Sequence, residues 1–321
     1  MENYSIIQKF LHDIFLSNNF LKKSIYEIEK ILFNRKKIDF ENNKHVFISG
    51  LPRSGTTALL NYLFHSKAFS SLTYRNMPFV MAPNISSILM KNTKLVSRER
   101  IHKDGIFFDL DTPESFDEVF FSTFERNEIK KEFLNYLNLI LIQKNSKRYL
   151  SKNNLSYRYI DLIQSLLNKS IFLIPFRDPE QHANSLLKQH KNFCKMQKEN
   201  QFIRRYMKYL GHFEFGLDHK SWNSPTKFAN FNDINYWLEQ WIKFYRHLLE
   251  KNFNKKNILF ICYEKLNNPN FKRNICNFLD INTENTEKYI IKKSQLIANP
   301  DNELLVESKK LYNELTDQCF Q

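Results

Sequence analysis

Apolar residues recur every three to four positions over residues 1–43, which predicts two helices in an N-terminal helical layer. These apolar positions are Ile6, Ile7, Phe10, Leu11, Ile14, Leu21, Ile25, Ile28, Ile31 and Leu32. Charged residues interrupt the first stretch, so it does not resemble the apolar core of a signal peptide. No apolar run approaches the ~18–20 residues that span a bilayer. We therefore expect a soluble, cytoplasmic protein.

Short apolar runs further along the chain predict buried strands, and helical patterns lie between most of them. The predicted strands cover 45–49, 69–74, 148–151, 171–176 and 258–263, and the predicted helices cover 57–64, 115–143, 157–167, 178–190 and 234–250. This alternation is typical of an α/β fold with a parallel sheet between two helical layers. We predict one domain over 1–321. Its α/β core covers 44–282, with an aromatic and basic insertion at about 191–230, and a helical segment follows over 283–321.

Composition and charge limit the classes of protein to which this chain can belong. Hydrophobic residues make up 42% of the chain and aromatic residues 15%, which excludes a disordered protein. The 48 Lys and Arg exceed the 34 Asp and Glu, and the net charge of +14 predicts an anionic partner such as a nucleotide, a nucleic acid or a membrane surface. The four cysteines lie far apart, so we expect neither a zinc site nor disulfides, and a reducing compartment is the simpler interpretation.

Two of only five glycines stand in one loop, Gly50 to Thr57, between the first predicted core strand and a helix. A tight turn of this kind directs backbone N–H groups and the positive helix end at a phosphate. The spacing matches the phosphate-binding pattern G-x-x-x-x-G-K-[ST], except that Thr56 replaces the lysine. That lysine contacts the β- and γ-phosphates in enzymes that hydrolyse ATP or GTP. Its absence, with Arg53 three residues earlier, favours a nucleotide that carries a different transferable group.

The segment PRSGTT at 52–57 resembles the loop with which sulfotransferases hold the 5′-phosphosulfate of 3′-phosphoadenylyl sulfate (PAPS). The resemblance extends over about 44–282 and is strongest to bacterial members. It implies a three-layer fold of the P-loop type, PAPS as cofactor and no metal. It also implies a second site for the 3′-phosphate, with an Arg at a strand end and a Ser eight residues later, which RDP and Ser185 match. The segments YEKL and YLSKNN are similar to two further segments of the family. The cofactor-binding residues that it implies are Pro52, Arg53, Ser54, Gly55, Thr56, Thr57, Lys152, Arg177, Ser185 and Tyr263.

Sulfuryl transfer needs a group that stabilises the leaving phosphate and a base that takes the acceptor's proton. Arg53 suits the first role. The family takes its base shortly after the second strand, but the segment LTYRNMPF holds neither His nor carboxylate, so this part of the resemblance fails. The nearest acidic and imidazole groups are His102, Asp104, Asp109, Asp111, Glu114, Asp117 and Glu118. Among these we rank His102 and Glu114 first, and Asp104 and Glu118 next.

The acceptor is predicted from the resemblance alone to be a carbohydrate hydroxyl, of a surface polysaccharide or glycolipid precursor. The insertion at 191–230 combines aromatic and polar residues that suit a sugar ring. Its His212, Glu214, Asp218 and His219 match no zinc spacing. We do not expect nucleic-acid binding, whereas transient contact with a membrane surface fits the charge. Two alternatives stay open: a kinase-like phosphotransferase, and a basic nucleic-acid-binding or adaptor protein on a decayed loop.

Overall fold

The computed structural model describes residues 4–93, 97–99, 107–223, 225–251, 257–282 and 295–321. In these residues the strands are β1 (Val46–Ile48), β2 (Arg98–Glu99), β3 (Phe107–Phe108), β4 (Leu150–Lys152), β5 (Ile171–Phe176) and β6 (Ile258–Cys262). Four of them form a parallel sheet in the order β4-β1-β5-β6, and β2 and β3 form a separate antiparallel pair. The central sheet therefore has the parallel topology predicted from the alternation of strands and helices.

The strand register brings several chain segments to one edge of the sheet. Ile48 at the end of β1 lies opposite Lys152 of β4 and Leu173 of β5. All residues of β1, β4 and β5 are buried, as expected for strands that are covered on both faces. Since the three strands run in the same direction, the loops that leave their carboxyl ends emerge side by side.

Helices flank the sheet and form the other two layers. They are α1 (Ile6–Ser17), α2 (Asn19–Phe33), α3 (Thr56–His65), α4 (Pro83–Leu89), α5 (Asp117–Thr123), α6 (Arg126–Lys144), α7 (Ile160–Leu166), α8 (Pro179–Glu199), α9 (Gln201–Tyr209), α10 (Ile234–Glu250), α11 (Pro269–Phe278) and α12 (Asn302–Asp317). None of the helices that the structure describes is both long enough and apolar enough to cross a membrane.

Two predicted elements differ from the observed ones. The strand predicted over 69–74 is reduced to two isolated bridges, a parallel one between Ser70 and Tyr149 and an antiparallel one between Thr73 and Pro113. The chain then turns into a short 3-10 helix, where a capping box joins Thr73 and Asn76 and ends the extended segment. The helix predicted over 115–143 is two helices, because Phe124 is extended and Glu125 caps the start of α6 with a capping box.

The N-terminal helices α1 and α2 form as predicted, but their apolar positions are not uniformly buried. Ile6 is 86% exposed and Ile31 is 66% exposed. Polar residues are buried instead, and Glu29 is one of them. Its carboxylate accepts hydrogen bonds from the backbone N–H groups of Asn84 (2.7 Å) and Ile85 (3.0 Å) at the start of α4. The buried side of α2 is therefore set partly by helix capping and not by apolar periodicity alone.

Candidate active site

The loop that follows β1 has the backbone shape of an anion-binding turn. Arg53 has φ of 72° and Gly55 has φ of 96°, whereas Ser54 between them is not left-handed. Alternation of this kind turns successive N–H groups toward one side, where the amino end of α3 adds its dipole. The Ser54 hydroxyl donates to the carbonyl of Leu51 at 2.7 Å, which closes the turn from inside. The sequence PRSGTT thus folds into the tight turn before a helix that its spacing predicts.

Gly55 is required where the loop meets the end of β6. A Cβ atom at this position would lie 2.6 Å from Cδ2 of Tyr263, the first residue after β6. The guanidinium of Arg177, the first residue after β5, lies 4.9 Å from the centre of the same tyrosine ring. The ends of β1, β5 and β6 therefore converge on Tyr263, which packs against both the loop and the arginine.

Two arginines meet at this edge of the sheet. Nε of Arg53 donates to Oγ of Ser185 at 3.3 Å, so the loop contacts the second predicted anion site directly. Arg177 is only 5% exposed. Burial lowers the pKa of Arg177, and the nearby positive charge of Arg53 lowers it further. The two arginines repel one another, and burial limits the screening of their charges by water. An anion bound between them would offset this repulsion.

Helix α8 contacts the loop after β1 and carries Ser185. Asp178 caps its first turn by accepting from the N–H of Gln181 at 2.9 Å, and Pro179 occupies the first helical position. One turn later the fully buried His182 donates from Nε2 to the carbonyl of Pro52 at 2.8 Å. Burial lowers the pKa of His182 to about 3, so the ring stays neutral. The same helix thus holds the loop and presents Ser185.

Lys152 ends β4 and lies beside the loop strand β1, as the sequence predicts. Its ammonium is 3.7 Å from Oε1 of Glu114, and both side chains are buried. Glu114 also accepts hydrogen bonds from the Tyr74 hydroxyl at 3.0 Å and from the backbone N–H of Ser115 at 2.9 Å. This carboxylate is therefore held among a cation and two further donors.

The other acidic residues separate into two groups. Asp111 forms a two-pronged ion pair with Arg75 (2.7 and 3.0 Å), and Asp109 accepts from the hydroxyl of Thr112. Asp117 is buried at the start of α5, where it accepts from the hydroxyls of Tyr149 and Ser151. His102 and Asp104, two of the predicted candidates for the base, lie outside the described residues.

Glu118 follows Asp117 on α5 and reaches the carboxyl end of β4. Its Oε2 accepts from Nδ2 of Asn153 at 2.9 Å. Burial raises the pKa of Glu118 to about 7, and the neighbouring carboxylate of Glu214 adds to this rise. Unlike Asp117, the Glu118 side chain remains partly exposed. A carboxylate with these properties is suited to accept a proton near neutral pH.

The insertion contributes side chains to the same place, through contacts with the end of β4 and with the residue before α5. Nδ2 of Asn154 donates to Oε1 of Glu214 at 3.1 Å, and Nε2 of His212 donates to the carbonyl of Ser115 at 3.1 Å. Asp218 of the insertion instead pairs with Arg204, and His219 bonds to Tyr236. The two side-chain amides at the end of β4 belong to Asn153 and Asn154, which are the NN of YLSKNN directly after Lys152.

The aromatic residues of the insertion form their own core and present few ring faces to solvent. Phe193 stacks on Phe215 with ring centres 5.9 Å apart, and Trp222 packs against Trp237 at 5.8 Å. His219 lies within this cluster, and its burial lowers its pKa to about 4. The insertion is thus a packed unit that begins on the long helix α8.

The comparison with protein families decides the identity of the fold. The model of the sulfotransferase domain matches residues 43–313. The chain belongs to the sulfotransferase domain family. The assignment predicted from PRSGTT is therefore confirmed, and the family supports transfer of a sulfuryl group as the activity of this enzyme, in preference to the phosphotransferase and nucleic-acid alternatives.

Solved structures of bacterial sulfotransferases are similar to this sulfotransferase. STF1 from Mycobacterium tuberculosis H37Rv is 12% identical, with a TM-score of 0.51 over 99% of this chain and 82% of that chain, and shares its fold. STF9 from Mycobacterium avium is 11% identical over 93% of this chain and 75% of that one, with a TM-score of 0.45. The sulfotransferase domain from the curacin biosynthetic pathway is 14% identical over 85% and 98%, with a TM-score of 0.42. Among curated protein sequences there is no significant match.

Proposed function

We propose that this sulfotransferase transfers a sulfuryl group from PAPS to a hydroxyl group of a carbohydrate. The observation that carries the proposal is the convergence of Arg53, Arg177 and Ser185 at the carboxyl edge of the sheet. The Arg53–Ser185 contact of 3.3 Å joins the turn after β1 to the helix after β5. A molecule with two separate anionic groups on one nucleoside fits two neighbouring cationic sites better than a single phosphate does.

The residues present suit the two ends of PAPS. The loop 52–57, with its left-handed positions and the amino end of α3, would hold the 5′-phosphosulfate. Arg177 and Ser185 would hold the 3′-phosphate, with Tyr263 supporting the arginine from below. When bound, PAPS supplies a sulfuryl group on a phosphate leaving group, and this chemistry requires no metal.

Arg53 and Lys152 are the side chains that would stabilise the negative charge that develops on the leaving phosphate during transfer. Both are long cations that begin beside the end of β1, and fixed cations of this kind stabilise a leaving phosphate without reorganisation. Lys152 is oriented by its ion pair with Glu114 at 3.7 Å. The acceptor's proton would pass to one of the carboxylates near the carboxyl end of β4.

The carbohydrate acceptor is supported by the hydrogen-bonding groups at this edge. Glu118, Asn153 and Glu214 offer carboxylate and amide groups, which bind the hydroxyls of a sugar as acceptors and donors. The aromatic core of the insertion is less suited to stack on a sugar, because its rings pack on each other. A surface polysaccharide or a glycolipid precursor would supply such hydroxyls.

Calorimetry with adenosine 3′,5′-bisphosphate, the product nucleotide, tests the donor. We expect tight binding in the presence of EDTA and weak binding of 5′-AMP, which lacks the 3′-phosphate. Arg177→Ala should weaken bisphosphate binding about 10- to 100-fold, since a charged hydrogen bond contributes roughly 1.5–3 kcal/mol. Arg246→Ala is the matched control, because this arginine pairs with Glu307 on the surface.

Three outcomes would contradict the proposal. A preference for Mg-ATP over the bisphosphate would favour a phosphotransferase. Salt-sensitive binding of unrelated DNA without bisphosphate binding would favour a nucleic-acid-binding protein. Equal affinity of wild type and Arg177→Ala would place the 3′-phosphate elsewhere.

A further inference from the structure

The insertion is docked on α5 by a glycine that leaves room for Glu118. Gly211 has φ of 71°, and a Cβ atom there would lie 2.6 Å from Cγ of Glu118. The next residue, His212, donates to the carbonyl of Ser115 just before α5. Close approach of the two segments therefore depends on the absence of a side chain at Gly211.

Two consecutive amides hold two carboxylates at the end of β4. Asn153 donates to Glu118 at 2.9 Å, and Asn154 donates to Glu214 at 3.1 Å. The backbone N–H of Asn153 also donates to the carbonyl of Ile48 at 3.1 Å, two residues before the phosphate-binding loop begins. The carboxylate pair therefore lies beside the start of that loop, and both side chains remain partly exposed.

We propose that Glu118 is the residue that takes the acceptor's proton, and that Glu214 of the insertion is a positioning residue that tunes it. This inference rests on the proposed function. In the transfer step the acceptor oxygen gains a bond to sulfur, and the bond from sulfur to the phosphate oxygen breaks with its electron pair remaining on the phosphate. The proton of the acceptor hydroxyl goes to a carboxylate oxygen of Glu118.

The surroundings of Glu118 suit this role, whereas Glu114 is buried in an ion pair with Lys152. The groups that face Glu118 are Asp117 on its own helix, Arg158 and Tyr159 on the turn after β4, Asn153, and Glu214. Arg158 and the hydrogen bond from Asn153 lower the pKa of Glu118, but burial and the two carboxylates outweigh them and the value rises to about 7. A base is most effective when its pKa lies near the working pH.

The pH profile of single-turnover transfer from PAPS to water, followed as release of adenosine 3′,5′-bisphosphate, tests the assignment. The wild-type rate should rise with pH along a limb near pH 7. Glu118→Gln should abolish the limb and lower the rate about 100-fold or more. Glu214→Gln should keep the limb but move it by roughly half a pH unit or more to lower pH, since a like charge is removed. Asp218→Asn, an equal charge change in the same insertion, should leave it in place.

Unfolding by urea between pH 5 and 8.5 provides a readout that needs no nucleotide. A carboxyl whose pKa is higher in the folded than in the unfolded protein stabilises the fold at low pH, and this stabilisation is lost as pH rises through the folded value. Glu118→Gln should therefore become more stable relative to wild type as pH rises from about 5 to above 7. Glu214→Gln should show a smaller change of the same sign, and Asp218→Asn no such change.

The results separate failure of this inference from failure of the proposed function. If wild type binds the bisphosphate but Glu118→Gln retains both rate and limb, Glu118 is not the base. If the limb disappears only in Glu114→Gln, that residue takes its place. A stability difference that does not change with pH would also overturn the assignment. If wild type fails to bind the bisphosphate, the proposed function itself falls.

Discussion

Replacing Gly55 by Ala tests the convergence of the strand ends directly. The backbone at Gly55 has φ of 96°, outside the left-handed region that other residues reach, and the strain costs about 1–2 kcal/mol. The new Cβ would also lie 2.6 Å from the ring of Tyr263, about 1 Å closer than carbon atoms normally approach. Overpacking of a buried ring costs about 1–3 kcal/mol. We therefore expect Gly55→Ala to lower the free energy of unfolding by roughly 2–5 kcal/mol.

The same change should weaken bisphosphate binding, because the displaced ring supports Arg177 at 4.9 Å. Urea denaturation measures the free energy of unfolding, and calorimetry measures the affinity. The double variant Gly55→Ala/Tyr263→Ala is the control. Removing the ring relieves the clash but not the backbone strain, so the double variant should be more stable than the sum of the single effects predicts, by about 1–3 kcal/mol.

Two results would refute this reasoning. A loss of less than about 0.5 kcal/mol in Gly55→Ala, within the ordinary range for surface substitutions, would mean that the turn does not need glycine. Strict additivity in the double variant would mean that Tyr263 does not pack against the loop.

Two further predictions concern charge and pH. Arg53→Ala should reduce the single-turnover rate of transfer about 30-fold, equivalent to ~2 kcal/mol, because the charge on the leaving phosphate loses its partner. Arg53→Lys should recover part of this rate. Equal rates in wild type and both variants would exclude the loop from the chemistry. Burial lowers the pKa of His219 from its ordinary value of 6.5 to about 4. Between about pH 6.5 and 4, His219 therefore binds a proton in the unfolded chain but not in the folded protein. The free energy of unfolding falls as pH falls through this range. His219→Gln should lower this slope by at most ~1.4 kcal/mol per pH unit in urea unfolding, whereas an unchanged slope would show that His219 does not contribute to it.

Local patterns were sufficient to predict the parallel sheet, the tight turn that joins its first strand to a helix, and the family. The glycines at 50 and 55, the strand before them and the helix after them are neighbours in the chain, and backbone geometry at such a turn depends mainly on those residues. The same holds for Arg177 and Ser185, which lie at a strand end and on the helix that Asp178 caps. When the residues that determine a feature lie within one strand–turn–helix unit, the local sequence is enough to predict that feature.

Periodicity predicted the N-terminal helices but not which side of them is covered. Ile6 and Ile31 are largely exposed, while Glu29 is buried because it caps another helix. The strand predicted over 69–74 failed for a similar reason. A strand needs one partner along its whole length, but here Ser70 pairs with Tyr149 and Thr73 pairs with Pro113 in isolated bridges.

The grouping of the carboxylates was decided only by the tertiary structure. Glu118 and Asn153 are 35 residues apart in the chain, and Asn154 and Glu214 are 60 apart. No spacing rule links them, because their contact depends on how α5 and the insertion both dock against the end of β4. The raised pKa of Glu118 is likewise a property of burial and of a neighbour from a distant segment, neither of which exists until the chain is folded.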